Sequence, residues 1–476
     1  MTNISAIRQW AAASPNVVKD WISESNSINQ DLREQSKALR ARARDLEQNN
    51  DYAYRYLQLL ENGILGEYGI NLQMRARTSR GRLDQRLNSL IEREFRSWHR
   101  AQRCTIDGRL NWYEVQKVVV RSVARDGEVL IRLFRDDGLR IMIYDASWLD
   151  NELNQEPDPR NGIGMISQGI EMDRFGKPIA YWLTRGEPAK SGTTLFGLSA
   201  DRQEYERVPA EDIIHIYKSE RPNQIRGATW MASVMVHLLM LNRYEKAEML
   251  AAEFAAKKVG YYKTPTGDWL EGDEDAKGYG LPTAINGLGM TELPEGVEMH
   301  LLDPTHPNSA YGEFVKTALK GIATGLGVTY HSLSGDLTEV NFSSIRSGTI
   351  EERDRFRAQQ QWFISKLQRP IFEAWLAANL PRLGLPETDF NRLSEAHFQT
   401  RGWTWVDPVK DMQAKQMEYT MGVCSLQDIA SSLGRDLEEI FEQRAKESEM
   451  ASAYGVSIEN INTEFMEPSE DEQNLD

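Results

Sequence analysis

Apolar side chains recur every three or four positions over long stretches of this chain, interrupted by one segment that alternates with period two. Residues 1–100 are mostly helical in pattern. Leu57, Leu60 and Ile64 fall on one helical face, after a basic stretch at 38–44. Residues 110–220 change character. Residues 115–123 are rich in valine and fit a helix or a strand. Residues 125–135 (RDGEVLIRLFR) alternate around Asp126 and Gly127, which predicts a hairpin. Asp126 and Glu128 are then expected as exposed turn acids. Residues 140–144, 179–184 and 213–217 read as further strands, with a turn at 173–178. The pattern predicts an α+β region built on a mainly antiparallel sheet.

Residues 226–258 contain no proline, and glycine only at the start, so one long helix is expected. Its second half is small (Ala247, Ala251, Ala252, Ala255, Ala256), which lets neighbouring helices approach closely. Met231, Met235, Met240 and Met249 read as core or interface filler. Residues 259–303 are punctuated by Gly and Pro and predict two or three short strands. Their acidic run, with Glu271, Asp273, Glu274 and Asp275, is either a docking surface or a solvated turn. Residues 308–328 predict another helix, with Lys316 and Lys320 one turn apart. Gly321, Gly325 and Gly327 weaken its end by about 1 kcal/mol each relative to alanine. They serve either as a hinge or as an ordinary glycine helix terminus.

A polar, proline-free loop is expected over 332–347, followed by a long helix over about 348–380. That helix repeats Phe356, Phe363, Leu367, Phe372 and Trp375 as one apolar stripe. A loop this long between helices is usually functional or disordered. It carries Ser334, Asp336, Thr338, Glu339, Asn341, Ser343, Ser344 and Arg346, which can hydrogen-bond but cannot bury themselves. Residues 407–455 predict two or three helices. Asp407 and Pro408 open the first, Gly422 ends it, Ser425 caps the next, and Gly434 with Asp436 marks another boundary. Residues 457–476 hold seven acids and no Lys or Arg, a composition that predicts disorder.

The net charge is −15 and the pI about 5.2. A static nucleic-acid binder normally shows the opposite balance. A conduit through which DNA slides does not need it, because each phosphate captured by Lys or Arg adds affinity. No run of about 18 apolar residues occurs, so no membrane span is expected. The N-terminus has no long apolar core and does not read as a signal peptide. Cys104 and Cys424 are expected as isolated buried thiols in a reducing cytosol. The exposed run at 75–86 (RARTSRGRLDQR) is either a solvated loop or a contact to DNA, a scaffold or a shell.

Catalytic constellations are missing from the sequence. There is no HExxH, CxxC or GxSxG, no GxxxxGK[ST], and no GxGxxG after a strand. His300, Asp303 and His306 share a stretch without a ligand spacing. No catalytic residue, cofactor or metal is therefore assigned.

Three stretches taken in order resemble one family. They are ARARDLEQNNDYAYRYLQLLENGILGEYGINL at 41–72, GLGVTYHSLSGDLTEVNFSSIRSGTIEERDRF at 325–356, and RGWTWVDPVKDMQAKQMEYTMGVCSLQDIASSLGRDLEEIF at 401–441. Together they resemble the lambda-like portal proteins of tailed phages. The resemblance implies a portal fold: an N-terminal arm and α+β wing (1–225), a first stem helix (226–258) and a clip (259–307). A second stem helix (308–328), a tunnel loop (329–347), a long helix with the remaining wing (348–406), a helical crown (407–456) and an acidic tail (457–476) complete it.

The implied activity is that of a twelve-subunit ring at one capsid vertex, conducting double-stranded DNA without sequence specificity. The implied partners are the terminase large subunit, the major capsid protein and scaffold, and a head-completion or tail adaptor protein. The loop at 334–346 would line the channel, with Lys316 and Lys320 facing it. Arg346 would contact a phosphate or pair with Glu339, Glu351 or Glu352. The acidic run at 271–275 would lie in the clip. Another virion structural protein, such as a minor head protein, and a nucleic-acid-processing enzyme are the alternatives.

Overall fold

The computed structural model describes residues 26–78, 80–81, 83–136, 138–185, 204–256, 260–263, 298–301, 310–338, 342–403, 408–433, 435 and 437–455. The chain divides into two units. The larger holds Met1–Arg44, Leu57–Ala232 and Asn341–Asp476; the smaller holds Asp45–Tyr56 and Ser233–Val340.

The N-terminal helices α1 (Ile28–Asn49) and α2 (Asp51–Ile64) lead into a short strand β1 (Asn71–Gln73). Leu57, Leu60 and Ile64 are buried, as their spacing requires. The basic run after β1 closes on itself. Arg77 bridges to Leu83, and Gly81 turns with φ +78°. Helix α3 (Gln85–Trp98) is capped by the Asp84 side chain, and the one-turn α4 (Ala101–Cys104) comes after it. Helix α5 (Trp112–Asp126) starts at a capping box made by Asn111 and Glu114. Its valines at 115, 119, 120 and 123 are all buried, which settles the helix-or-strand choice for this segment.

The expected hairpin at 125–135 does not form. Asp126 ends α5, and Gly127 is its left-handed C-cap with φ +94°. Strand β2 (Glu128–Phe134) starts directly after that cap. It pairs antiparallel with β3 (Arg140–Tyr144) on one side. Strands β4 (Met165–Ser167), β5 (Ile170–Met172), β6 (Pro178–Thr184) and β7 (Tyr205–Pro209) form a second antiparallel sheet in that order. Strand β8 (Ile213–Tyr217) returns to the other edge of β2. The two sheets share a core of Leu130, Tyr144, Ile170, Tyr181, Leu183 and Val208, among others.

Asp126 and Glu128 are not exposed turn acids: both are 2% exposed. Arg226 donates from Nε and Nη2 to the Glu128 carboxylate, at 2.9 and 2.5 Å. The Gly227 amide donates to it at 3.0 Å. His215 Nε2 lies 3.0 Å from the same group. A carboxylate that is ionised can only accept, so this nitrogen carries the proton. Burial alone would raise the Glu128 pKa, but Arg226 and His215 together hold it far below the ordinary range. Asp126 accepts from Arg44 at 2.8 Å and from Arg125 at 2.6 Å.

This cluster also explains why the next helix starts late. Helix α6 runs over Met235–Ala256, nine residues short of the expected start at Arg226. Arg226 is committed to Glu128. Gly227 lies so close to the Gly127 backbone that a Cβ would not fit, and the Trp230 amide bonds Ala124 O.

Strands β9 (Gly260–Lys263) and β10 (Glu298–Leu301) pair antiparallel. Helix α7 (Tyr311–Leu326) and the one-turn α8 (Tyr330–Ser334) come next. The long helix begins earlier than expected, as α9 (Phe342–Phe363). Ser343, Ser344 and Arg346 therefore lie in its first turns rather than in a loop. A π turn over Ile364–Gln368 joins it to α10 (Arg369–Asn379). Pro370 accounts for that turn: its ring would clash with the carbonyl one α-turn earlier, and the extra residue moves that carbonyl away. Phe356, Phe363, Leu367, Phe372 and Trp375 are all buried, as the stripe predicts. Phe95 meets Phe372 and Trp375 edge-on at 5.5 and 5.0 Å, which locks α3 against α10.

A short helix α11 (Phe390–Ser394) and strand β11 (His397–Gln399), paired with β1, come next. The last helices are α12 (Pro408–Thr420), α13 (Leu426–Ser432) and α14 (Leu437–Ala453). Gly422 (φ +73°) and a Ser425–Asp428 capping box sit where expected. Asp407, Gly434, Asp436, Asp303, His306, the acidic run at 271–275 and the tail at 457–476 lie outside the described residues. Cys104 is buried, Cys424 is half-buried, and both are free thiols. No described helix is long and apolar enough to cross a membrane, and no described acid or thiol cluster could hold a metal.

Candidate functional site

The smaller unit brings together several of the residues singled out from the sequence. Within it α6 packs on α7, and Leu238, Leu241, Leu319, Ile322 and Leu326 on the two helices are buried. Tyr52 donates to Glu245 at 2.9 Å, tying the 45–56 segment to α6. Gly325 sits against Val234, and a Cβ at that position would overlap the valine methyl. Gly327 is the C-cap of α7, with φ +72°. Two of the three glycines thus have packing and capping roles. Gly321 has open space around it.

After Gly327 the chain makes a compact turn. Thr329 Oγ1 accepts from the Ser332 amide and so caps α8. Gly335 ends α8 in a left-handed conformation. Asp336 then organises the turn at 335–338. Its carboxylate accepts from Tyr330 Oη (2.9 Å), the Thr338 amide (2.9 Å) and Thr338 Oγ1 (2.6 Å). The Asp336 amide donates to Ser334 Oγ at 3.1 Å, and Ser334 donates to Tyr330 O at 2.8 Å. The Thr338 hydroxyl and amide, then Tyr330, with a smaller contribution from Lys316, lower the Asp336 pKa to about 2. Lys320 Nζ lies 5.9 Å over the Tyr330 ring. Ser334, Asp336, Thr338, Lys316 and Lys320 therefore form one polar patch around Tyr330.

Glu339 and Asn341 lie outside the described residues. Ser343 and Ser344 lie in α9, and Arg346 is half-buried one turn into it. The expected sixteen-residue loop is thus split. Its first part is α8 and a turn around Asp336; its last part is helix. Tyr330 was not singled out from the sequence. The Thr329-x-x-Ser332 spacing before Gly335 is the signal that could have found the short helix.

Helix α6 also has an outward face. Val236, Leu239, Met240 and Leu250 on it are 38–62% exposed. Met231 and Met235 are core residues, as expected, while Met240 lies on this exposed face and Met249 is exposed on the opposite side of the helix.

Comparison with known proteins identifies the molecule. A family model described as phage portal protein, lambda family, matches residues 15–360. The chain belongs to the lambda family of phage portal proteins. The probable portal protein of Halomonas phage phiHAP-1 is 32% identical over 471 residues, spanning 95% of this chain and 89% of that one. The portal proteins of Escherichia phages N15 and lambda are 23% and 22% identical, each over 92% of this chain and over 89% and 88% of their own length. The neck of a native GTA particle, computed with C12 symmetry, aligns at a TM-score of 0.42 and 12% identity, over 83% of this chain and 93% of that one. That likeness is too loose to bear on this chain's geometry. As a portal protein the chain is a structural component of a phage virion.

Proposed function

We propose that twelve copies of this portal protein close into a ring at one capsid vertex. The ring conducts double-stranded DNA during packaging, retains it, and releases it on ejection. It seeds shell assembly with scaffold and major capsid protein in the bacterial cytoplasm. The terminase large subunit docks on it during filling, and a head-completion or tail adaptor protein docks afterwards. It has no catalytic role of its own.

The observation that carries the ring is the exposed apolar face of α6, with Val236, Leu239, Met240 and Leu250. Exposed apolar residues in such a run mark a contact with another chain. Head-to-tail contacts between copies close into a ring when the rotation between them fits. The polar patch of Ser334, Asp336 and Thr338 supports a channel lining, to which we assign Glu339, Asn341, Ser343 and Ser344 from the sequence alone. Hydroxyls hold phosphates weakly and ionised acids repel them, so DNA slides rather than stalls. Lys316, Lys320 and Arg346 supply limited positive charge there. The acidic run at Glu271, Asp273, Glu274 and Asp275 belongs to the clip and serves docking.

Light scattering with negative-stain imaging of the purified protein tests the ring. Twelve copies of 54.4 kDa give a particle of roughly 650 kDa with a central hole. A chain that stays monomeric even when co-expressed with its capsid proteins would overturn this reading.

A further inference from the structure

Residues 75–109 hold ten arginines, no lysine and four acids. That is a net +6 within a chain of −15. Three of the four acids are engaged with backbone. Asp84 caps α3, Glu92 accepts from the Met74 amide at 2.6 Å, and Asp107 accepts from the Arg109 amide at 3.2 Å. Arg86, Arg93 and Arg100 are spaced by seven along α3 and beyond, and all are exposed. Arg96 and Arg103 are exposed too. Arg93 meets the fourth acid, Glu94, at 3.4 Å. Arg86, Arg96 and Arg100 have no carboxylate partner among the described residues.

This face ends in a cavity of about 640 Å³. Arg103, Arg140 and Arg382 line it from three separate elements, and Trp98 and Trp375 contribute apolar wall. Glu94 also lines it, beside Arg93. Gly138 makes room for Arg382: a Cβ there would lie 3.3 Å from Nη1. Trp98 is fixed by donating Nε1–H to Leu139 O at 2.6 Å. Guanidinium forks match carboxylates in a bidentate way, and aromatic walls accept an apolar anchor. The complementary ligand is an acidic peptide with one large apolar residue in it.

The chain carries such a segment. Residues 464–472 read EFMEPSEDE, with Phe465 and Met466 between acids and no basic residue through 476. Ten residues separate Gly455 from Phe465, which is up to about 33 Å of extended chain.

We propose that the acidic C-terminal segment of this protein docks on the arginine face of α3 and α4, with Phe465 or Met466 in the cavity walled by Trp98 and Trp375. Docking fastens the tail to the wing, on its own or a neighbouring copy, and covers arginines that would otherwise bind phosphate. Full-length protein with Cys424→Ser, Gln102→Cys and Ser469→Cys tests it by disulfide trapping under air oxidation. The 102–469 disulfide is expected in most molecules. Adding Arg103→Glu and Arg140→Glu is expected to lower its yield at least tenfold, with an unchanged melting temperature showing that the fold survives. A yield no higher than that of a control pair with Glu156→Cys in place of the cysteine at 102 would overturn the proposal, and so would a yield insensitive to the arginine reversals. Should the disulfide fail while binding of a 24-base-pair duplex drops tenfold in the arginine variants, the face serves nucleic acid instead and the proposal falls.

Discussion

Glu128 shows how far one residue's environment departs from its local sequence. Asp-Gly is a turn signal in both hairpins and helix ends, and here the helix end holds. Glu128 therefore starts a central strand and is buried with Arg226 and His215 around it. Removing its charge leaves the Arg226 guanidinium uncompensated. Glu128→Gln is expected to cost about 3–5 kcal/mol, read by urea unfolding. Replacing Glu128 and Arg226 together by apolar residues is expected to cost less than that single change. Asp336 behaves differently because it is only half-buried. Its pKa is lowered to about 2, below the ordinary aspartate value. A depressed carboxylate favours the folded turn above its unfolded pKa and loses that advantage as pH falls through the folded one. The turn at 335–338 is therefore expected to keep its hydrogen-exchange protection down to about pH 4 and lose it between there and pH 2. Asp336→Asn is expected to remove that dependence.

Among the elements, α7 separates two meanings of glycine. Gly325→Ala would press on Val234 and is expected to destabilise by about 1–3 kcal/mol, relieved in part by Val234→Ala. Gly321→Ala meets nothing and is expected to stabilise the helix by about 1 kcal/mol. Thermal unfolding measures both. Were Gly321 a hinge, that more stable variant would package less DNA; unchanged packaging would show that its flexibility is not used. The apolar stripe of the long helix was legible because its period is set by the helix itself. Its start was not. The polar residues at 343, 344, 346 and 347 fit a helix turn as well as a loop.

For the whole molecule, assembly is the test. Val236→Glu with Met240→Glu places charge on the exposed face of α6, away from its buried residues. Ring formation is expected to fail while the circular dichroism of the subunit is unchanged. Shortening 334–341 is expected to leave rings intact and to impair DNA packaging or retention, counted as DNA-filled particles. Normal infectious yield from that variant would remove the channel role from the loop.

The sequence by itself determined the family, the helix and strand periods, and most caps, because these rest on short-range spacing and on ordered motifs. It could not determine which polar groups are buried. Arg226 and Glu128 are 98 residues apart, and only the folded sheet brings them within 3 Å. The same holds for the arginines at 103, 140 and 382, which face one cavity only because α4, β3 and the turn after α10 converge there. Spacing along the chain encodes local order; contacts between distant residues depend on the closure of long loops, and those the tertiary structure alone decided.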